Sequence, residues 1–184
     1  MSLINDTFYN YSRFDDNRVT DIFRGWDGLG GYHGLLIKQM AIMVPDKTTV
    51  LDVGCGACHL LDALKILGRT PKEYVGIELD DRILSIAKEK HSEANLIKAD
   101  FHTLNLNKKF EVVIACGLYS GEPERDDGVS KLLEHTEGFL VLTYFAKKKG
   151  VVPKALTVDG WGNEFIIHKI DDRLEIMRMW RIRK

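Results

Sequence analysis

Asp52, Gly54, Gly56 and Glu78 are the residues of this chain whose types and spacing could first do chemistry. Three of them lie in Val50-Leu51-Asp52-Val53-Gly54-Cys55-Gly56-Ala57-Cys58-His59-Leu60-Leu61. An apolar run, Thr49 to Val53, stops at glycine, and Leu60, Leu61, Leu64 and Leu67 then recur at helix-face spacing. The pattern predicts a strand, a tight turn and a helix. Glycines in such a turn let backbone approach a bound group at a helix start. A dinucleotide fingerprint wants a third glycine where this chain has His59. Asp52, at the strand end and expected to face the turn, would repel a pyrophosphate and attract a cationic amino group. The alternative is a tight turn with no ligand.

Glu78 ends a second apolar run, Tyr74 to Glu78. An acid at the end of the second strand can accept both hydroxyls of a ribose. Asp80 and Asp81 are better placed to cap the helix that follows. Glu78 is therefore expected to point into a crevice. Its removal should leave the ligand-free fold nearly unchanged.

The elements that must position these residues alternate. After the first helix come the strand ending at Glu78 and a helix with Ile83, Ile86 and Ala87 on one face. Short apolar runs follow at Asn95–Ala99, Phe110–Ala115 and Gly138–Phe145, with a helix ahead of the last. Such alternation predicts a parallel sheet covered on both faces. The tail differs: Glu164–Ile170 and Leu174–Ile182, around Asp171-Asp172-Arg173, read as an antiparallel hairpin.

The chain has 184 residues, 45% of them hydrophobic, which suits one well-buried domain. Residues 1–34 are set apart as an aromatic-rich segment with a helix over Val19–Trp26, and 35–184 form the single domain. Four glycines between Asp27 and Gly34 suggest a flexible loop. The segment is either a lid over the site or aromatic packing on the domain. A second helix is expected from about Tyr32 to Met43. Net charge is -1, so no nucleic-acid or membrane partner is expected. The lack of a signal-like start and the three cysteines point to the cytoplasm.

The strand–turn–helix resembles motif I of the class I S-adenosylmethionine-dependent methyltransferases, D-x-G-x-G-x-G. Cys58 stands where the third glycine usually is. The alternating pattern with a terminal hairpin resembles that family from Val50 to the end. The resemblance implies a doubly wound, mostly parallel α/β sheet and S-adenosyl-L-methionine as cofactor. It places Asp52, Gly54, Cys55 and Gly56 around the methionine part and Glu78 at the ribose, with Leu79 among the cofactor-binding residues. Asp100 would accept from the adenine amino group, with Phe101 against the ring and Cys116 bordering the methyl. The implied activity is methyl transfer to an unidentified, small-molecule acceptor. A non-catalytic cofactor-binding module and a nucleotide-dependent oxidoreductase are the rivals.

Other readings carry less. Cys55-Gly56-Ala57-Cys58 lacks the Trp that usually precedes a thioredoxin pair, and Cys55, Cys58, His59 and Cys116 do not follow a known zinc spacing, so no metal is expected. Lys147-Lys148-Lys149 and Arg178, Arg181, Arg183 and Lys184 read as solvated surface or as a site for an anionic acceptor. His33, His59 and His102 are candidate bases with nothing to choose among them. The Cys116–Ser120 stretch lacks the Asn/Asp-Pro-Pro-Tyr/Phe motif of DNA amino-methyltransferases and lacks metal-binding acids. A loop over Ala146–Gly162 should help shape the acceptor pocket.

Overall fold

The structure, a computed structural model, describes residues 31–121, 127–146, 161–170 and 173–181. The expected Val19–Trp26 helix, most of the aromatic-rich segment and residues 147–160 lie outside the described residues. Helix α1 is Gly31–Met43, followed by β1 Thr49–Val53, α2 His59–Ile66, β2 Glu73–Glu78 and α3 Asp81–Lys90. Next come β3 Asn95–Lys98, β4 Phe110–Gly121, α4 Asp127–Glu134, β5 Thr136–Ala146, β6 Trp161–Ile170 and β7 Arg173–Arg181. Because α1 begins at Gly31, the glycines Gly31 and Gly34 are helical, not part of a loop, and a boundary at residue 34 falls inside the helix.

The sheet order is β3-β2-β1-β4-β5-β7-β6. Strands β3, β2, β1, β4 and β5 run parallel. Strand β7 pairs antiparallel with both β5 and β6. The central strands are buried on both faces, which is why β1 and β4 read as nearly continuous apolar runs. On one face Val50, Tyr74, Val112 and Ile114 pack with Met40 of α1, Leu64 of α2 and Leu84 of α3. On the other, Leu51, Val53, Val75, Ile77 and Leu140 pack with Leu132 of α4.

Two helix ends are satisfied by side chains, one local and one distant. Asp80 caps α3, its carboxylate accepting from the Arg82 backbone N–H at 2.9 Å. Helix α1 has no basic residue in its last turn. Arg69 supplies the missing cation, its guanidinium donating to the carbonyls of Ala41 (2.9 Å), Ile42 (2.6 Å) and Val44. Helices α2 and α3 are tied side by side through Asp62, which lies 2.9 Å from Lys90 Nζ and 3.1 Å from His91 Nε2. Lys65 Nζ lies 3.2 Å from His91 Nδ1 on the other side of the ring. No described helix is long and apolar enough to cross a membrane.

Candidate functional site

Strand order reverses beside β1, whose neighbours are β2 and β4, and ligands of open α/β sheets sit at the carboxyl ends of strands at such a point. The glycine turn occupies that position. Gly54 has φ 71° and Gly56 φ 55°, left-handed conformations that glycine adopts without steric cost. The Gly54 and Cys55 N–H groups donate to the Ile77 carbonyl at 2.8 and 3.0 Å, so the turn leans over the end of β2. Gly76 makes that lean possible. A Cβ there would lie 2.9 Å from Cys55 Sγ and 2.7 Å from Leu96 Cδ2.

Cys58, at the third-glycine position, is fully buried and sits at φ 60°, ψ 37° as the residue preceding α2. The motif's backbone shape is therefore kept without its glycine. Left-handed backbone costs a non-glycine residue about 1–2 kcal/mol. Burial of the side chain beside Leu60 and Leu64 works against that cost. The Cys58 N–H also closes a turn onto the Cys55 carbonyl at 2.9 Å.

Asp52, expected to face the turn, is buried. It is 3% exposed, and its Oδ2 accepts from the Tyr74 hydroxyl at 2.6 Å. Strand alternation explains this: Asp52 and Tyr74 lie on the same face of adjacent strands, beneath α2. Burial raises the Asp52 pKa to about 7, against the lowering effect of the Tyr74 hydrogen bond and reinforced by the charge of Glu78. A buried acid poised near neutrality under a helix start remains suited to a cationic group above it.

Glu78 also departs from expectation, because its carboxylate is already engaged. Oε1 accepts from the N–H of Leu79 at 2.7 Å and of Asp80 at 2.9 Å, and Oε2 from the N–H of Gly56 at 3.0 Å. Asp80 caps the helix, as expected, yet Glu78 joins the glycine turn to the end of β2. Burial raises its pKa, with the three backbone N–H donors pulling the other way. A carboxylate offers roughly four acceptor positions, so about one is left for a hydroxyl unless the turn gives way. Leu79 stands beside it, 48% exposed, an apolar side chain at the crevice edge.

Asp100 follows β3 and forms a turn, Oδ1 accepting from the His102 N–H at 2.9 Å. Phe101 also differs from the expected geometry. Its ring is 6% exposed, in the core cluster with Leu51, Val53 and Leu132, edge-on to His135 at 5.9 Å. Apolar burial outcompetes display of this ring to a ligand.

Cys116 was expected in a loop, but β4 continues to Gly121. Its register against β5 shifts between Ala115 and Tyr119, then resumes with Tyr119 beside Tyr144. Cys116 lies at that irregularity, half-buried against the α1–α2 side of the core. Cys55, Cys58 and Cys116 form no disulfide. The Cys55 pKa is pushed well up by its contact with Cys58 and by burial, which keeps the thiol protonated and poorly nucleophilic. Among the described residues, no cluster of His, Cys, Asp and Glu is suited to a metal ion.

Sequence reasoning missed Tyr74 and Gly76. Both sit in β2 opposite β1, Tyr74 at the register of Val50 and Gly76 at that of Asp52. A glycine within an otherwise apolar strand was the available signal, since it marks a close approach of another segment.

Residues 50–137 match the family described as Methyltransferase domain. The chain is 26% identical over 187 aligned positions to a ribosomal protein L11 methyltransferase of Fusobacterium nucleatum, covering 96% of this chain and 55% of that protein. It is 30% identical over 98 positions to a dTDP-3-amino-3,4,6-trideoxy-alpha-D-glucopyranose N,N-dimethyltransferase of Streptomyces venezuelae, covering 50% of this chain and 40% of that protein. The chain thus spans about half the length of the curated relatives it matches. Its fold is similar to that of the magnesium protoporphyrin IX methyltransferase of Synechocystis PCC 6803, with a TM-score of 0.65, 16% identity, and 92% and 98% of the two chains covered.

Proposed function

We propose that this chain is a class I S-adenosylmethionine-dependent methyltransferase and moves the activated methyl group of S-adenosylmethionine to a small-molecule acceptor, a reading that the match of residues 50–137 to a methyltransferase domain supports. The observation that carries the reading is the glycine turn between buried Asp52 and Glu78 at the switch point of the sheet. The structural neighbour from Synechocystis was solved with this cofactor bound. The residues here suit it. Asp52 offers negative charge beneath the turn for the methionine ammonium, Glu78 one remaining acceptor position for a ribose hydroxyl, and Leu79 an apolar edge for the purine. The antiparallel β6–β7 pair is taken as the ending of the same domain.

The sulfonium supplies a methyl group already activated for transfer. What remains for the protein is alignment of acceptor, methyl and sulfur, and positioning can be worth about 7–11 kcal/mol. A general base is required only for an acceptor that must lose a proton. The bulged stretch of β4 at Cys116 lies where the acceptor would approach. Of the two curated relatives, one is named for a protein acceptor and the other for an amino sugar nucleotide. The near-neutral charge balance supports the small molecule over nucleic acid.

A thermal-shift series with S-adenosylmethionine, S-adenosylhomocysteine and NAD tests the cofactor. Ligand at about a hundred times its Kd stabilises the fold by about 2.7 kcal/mol. A shift with NAD and none with either adenosyl ligand defeats the reading. A radiolabelled methyl-transfer panel of amines, phenols, amino sugars and ribosomal proteins tests turnover. Label on a ribosomal protein alone would move the acceptor to that class, and cofactor binding without turnover on any would favour a binding module.

A further inference from the structure

The loop after β3 is fastened to α4 at the two residues that follow Asp100. The Asp100 carbonyl accepts from the N–H groups of Thr103 (3.1 Å) and Leu104 (3.0 Å), and its Oδ1 from the N–H of His102 (2.9 Å). The carbonyl of that same His102 accepts from Lys131 Nζ at 2.7 Å. The Lys131 ammonium also lies 5.6 Å over the centre of the Phe101 ring, a cation–π distance. One side chain of α4 thus grips Phe101 and His102, the two residues inside the turn that Asp100 opens. Lys131 sits in the last turn of α4 and bonds a loop 29 residues earlier in the chain.

We propose that Lys131 is a positioning residue, fixing the Asp100 carboxylate so that it reads the amino group of the purine. This rests on the cofactor reading above. A carboxylate accepts from the 6-amino group of adenine and repels the 6-oxo group of hypoxanthine, so aim converts into discrimination. If the carboxylate is loosely held, it can rotate away from the wrong base and the penalty shrinks. Lys131 touches neither ligand nor reacting atoms in this role.

The test is calorimetric titration of the full chain with S-adenosylhomocysteine and with its 6-oxo analogue, S-inosylhomocysteine. Wild type, Lys131→Met and Lys131→Arg are compared, with urea unfolding as a check on stability. The expected result is an adenine-over-hypoxanthine affinity ratio about three- to tenfold smaller in Lys131→Met, the worth of one hydrogen bond. Lys131→Arg, which keeps a donor and a cation, should restore most of the ratio. A merely structural role would lower both affinities together, and an unchanged ratio in Lys131→Met overturns the proposal even if stability falls. If wild type binds S-adenosylhomocysteine with no preference over the analogue, the purine-reading role of Asp100 fails and the proposal with it. If wild type binds neither, the cofactor reading itself is at fault.

Discussion

At the scale of single residues, burial raises the pKa of both acids beside the glycine turn, and their hydrogen-bond donors differ. Asp52 is raised toward neutrality mainly because burial disfavours its charge, while Glu78 sits in a ring of backbone donors. The Asp52 shift has a definite sign. Its folded pKa of about 7 exceeds the ordinary value of 3.8, so the native state holds a proton that the unfolded chain has lost between those limits. Stability should therefore fall as pH rises through that window, by up to about 1.4 kcal/mol per pH unit. Urea unfolding from pH 5 to 8 should show a clearly shallower slope in Asp52→Asn, and equal slopes would disprove the assignment. For Glu78→Ala, three N–H groups lose their acceptor, so the ligand-free protein should lose about 1–3 kcal/mol. Affinity for S-adenosylhomocysteine should fall as well, since the Gly56 backbone loses its anchor. Unchanged apo stability would mean water replaces the carboxylate fully.

At the scale of elements, β2 decides how the turn sits. Gly76 leaves the space that Cys55 fills, and Ile77 receives the turn's N–H groups. Gly76→Ala forces a methyl against Cys55 and Leu96 and should cost about 1–3 kcal/mol by overpacking. Because Cys55 belongs to the turn, ligand affinity should drop too. Calorimetric titration and urea unfolding of the same variant separate the two effects. A loss of stability with full affinity would show that the turn holds its shape without β2. Strand β4 makes the complementary contribution, since its bulge at Cys116 lets it run on past the crevice and pair with β5 again.

For the whole molecule, buried acids and surface acids pull the pH profile in opposite directions. Asp62, though partly desolvated, is lowered by hydrogen bonds from His91 and Lys90, and Asp80 is lowered chiefly by Arg82. A depressed carboxylate contributes stability above its unfolded pKa and loses it as pH falls. Asp62 and Asp80 thus weaken the fold below about pH 4, while Asp52 weakens it above. Stability should peak on the acidic side of neutrality, between about pH 4 and 6, rather than at neutral pH. A urea-midpoint series from pH 3 to 8 locates the maximum, and a peak above pH 7 would contradict the buried-Asp52 account.

The sequence by itself determined the alternating elements and the place of the glycine turn, because both follow from local rules. Apolar runs over β1, β2 and β4, the helix-face spacing after Cys58 and the Asp80 cap are written in neighbouring residues. The tertiary structure decided what the side chains of those elements meet. Asp52 faces Tyr74 because two strands align in register, and Glu78 bends to Gly56 because the turn folds back over β2. Phe101 turns inward because α4, distant in sequence, supplies a core for it. Such partners lie 22 to 62 residues away in the chain for Asp52, Glu78 and Thr49, whose N–H donates to Glu111. Periodicity shows which face a residue takes, and only packing shows who stands opposite.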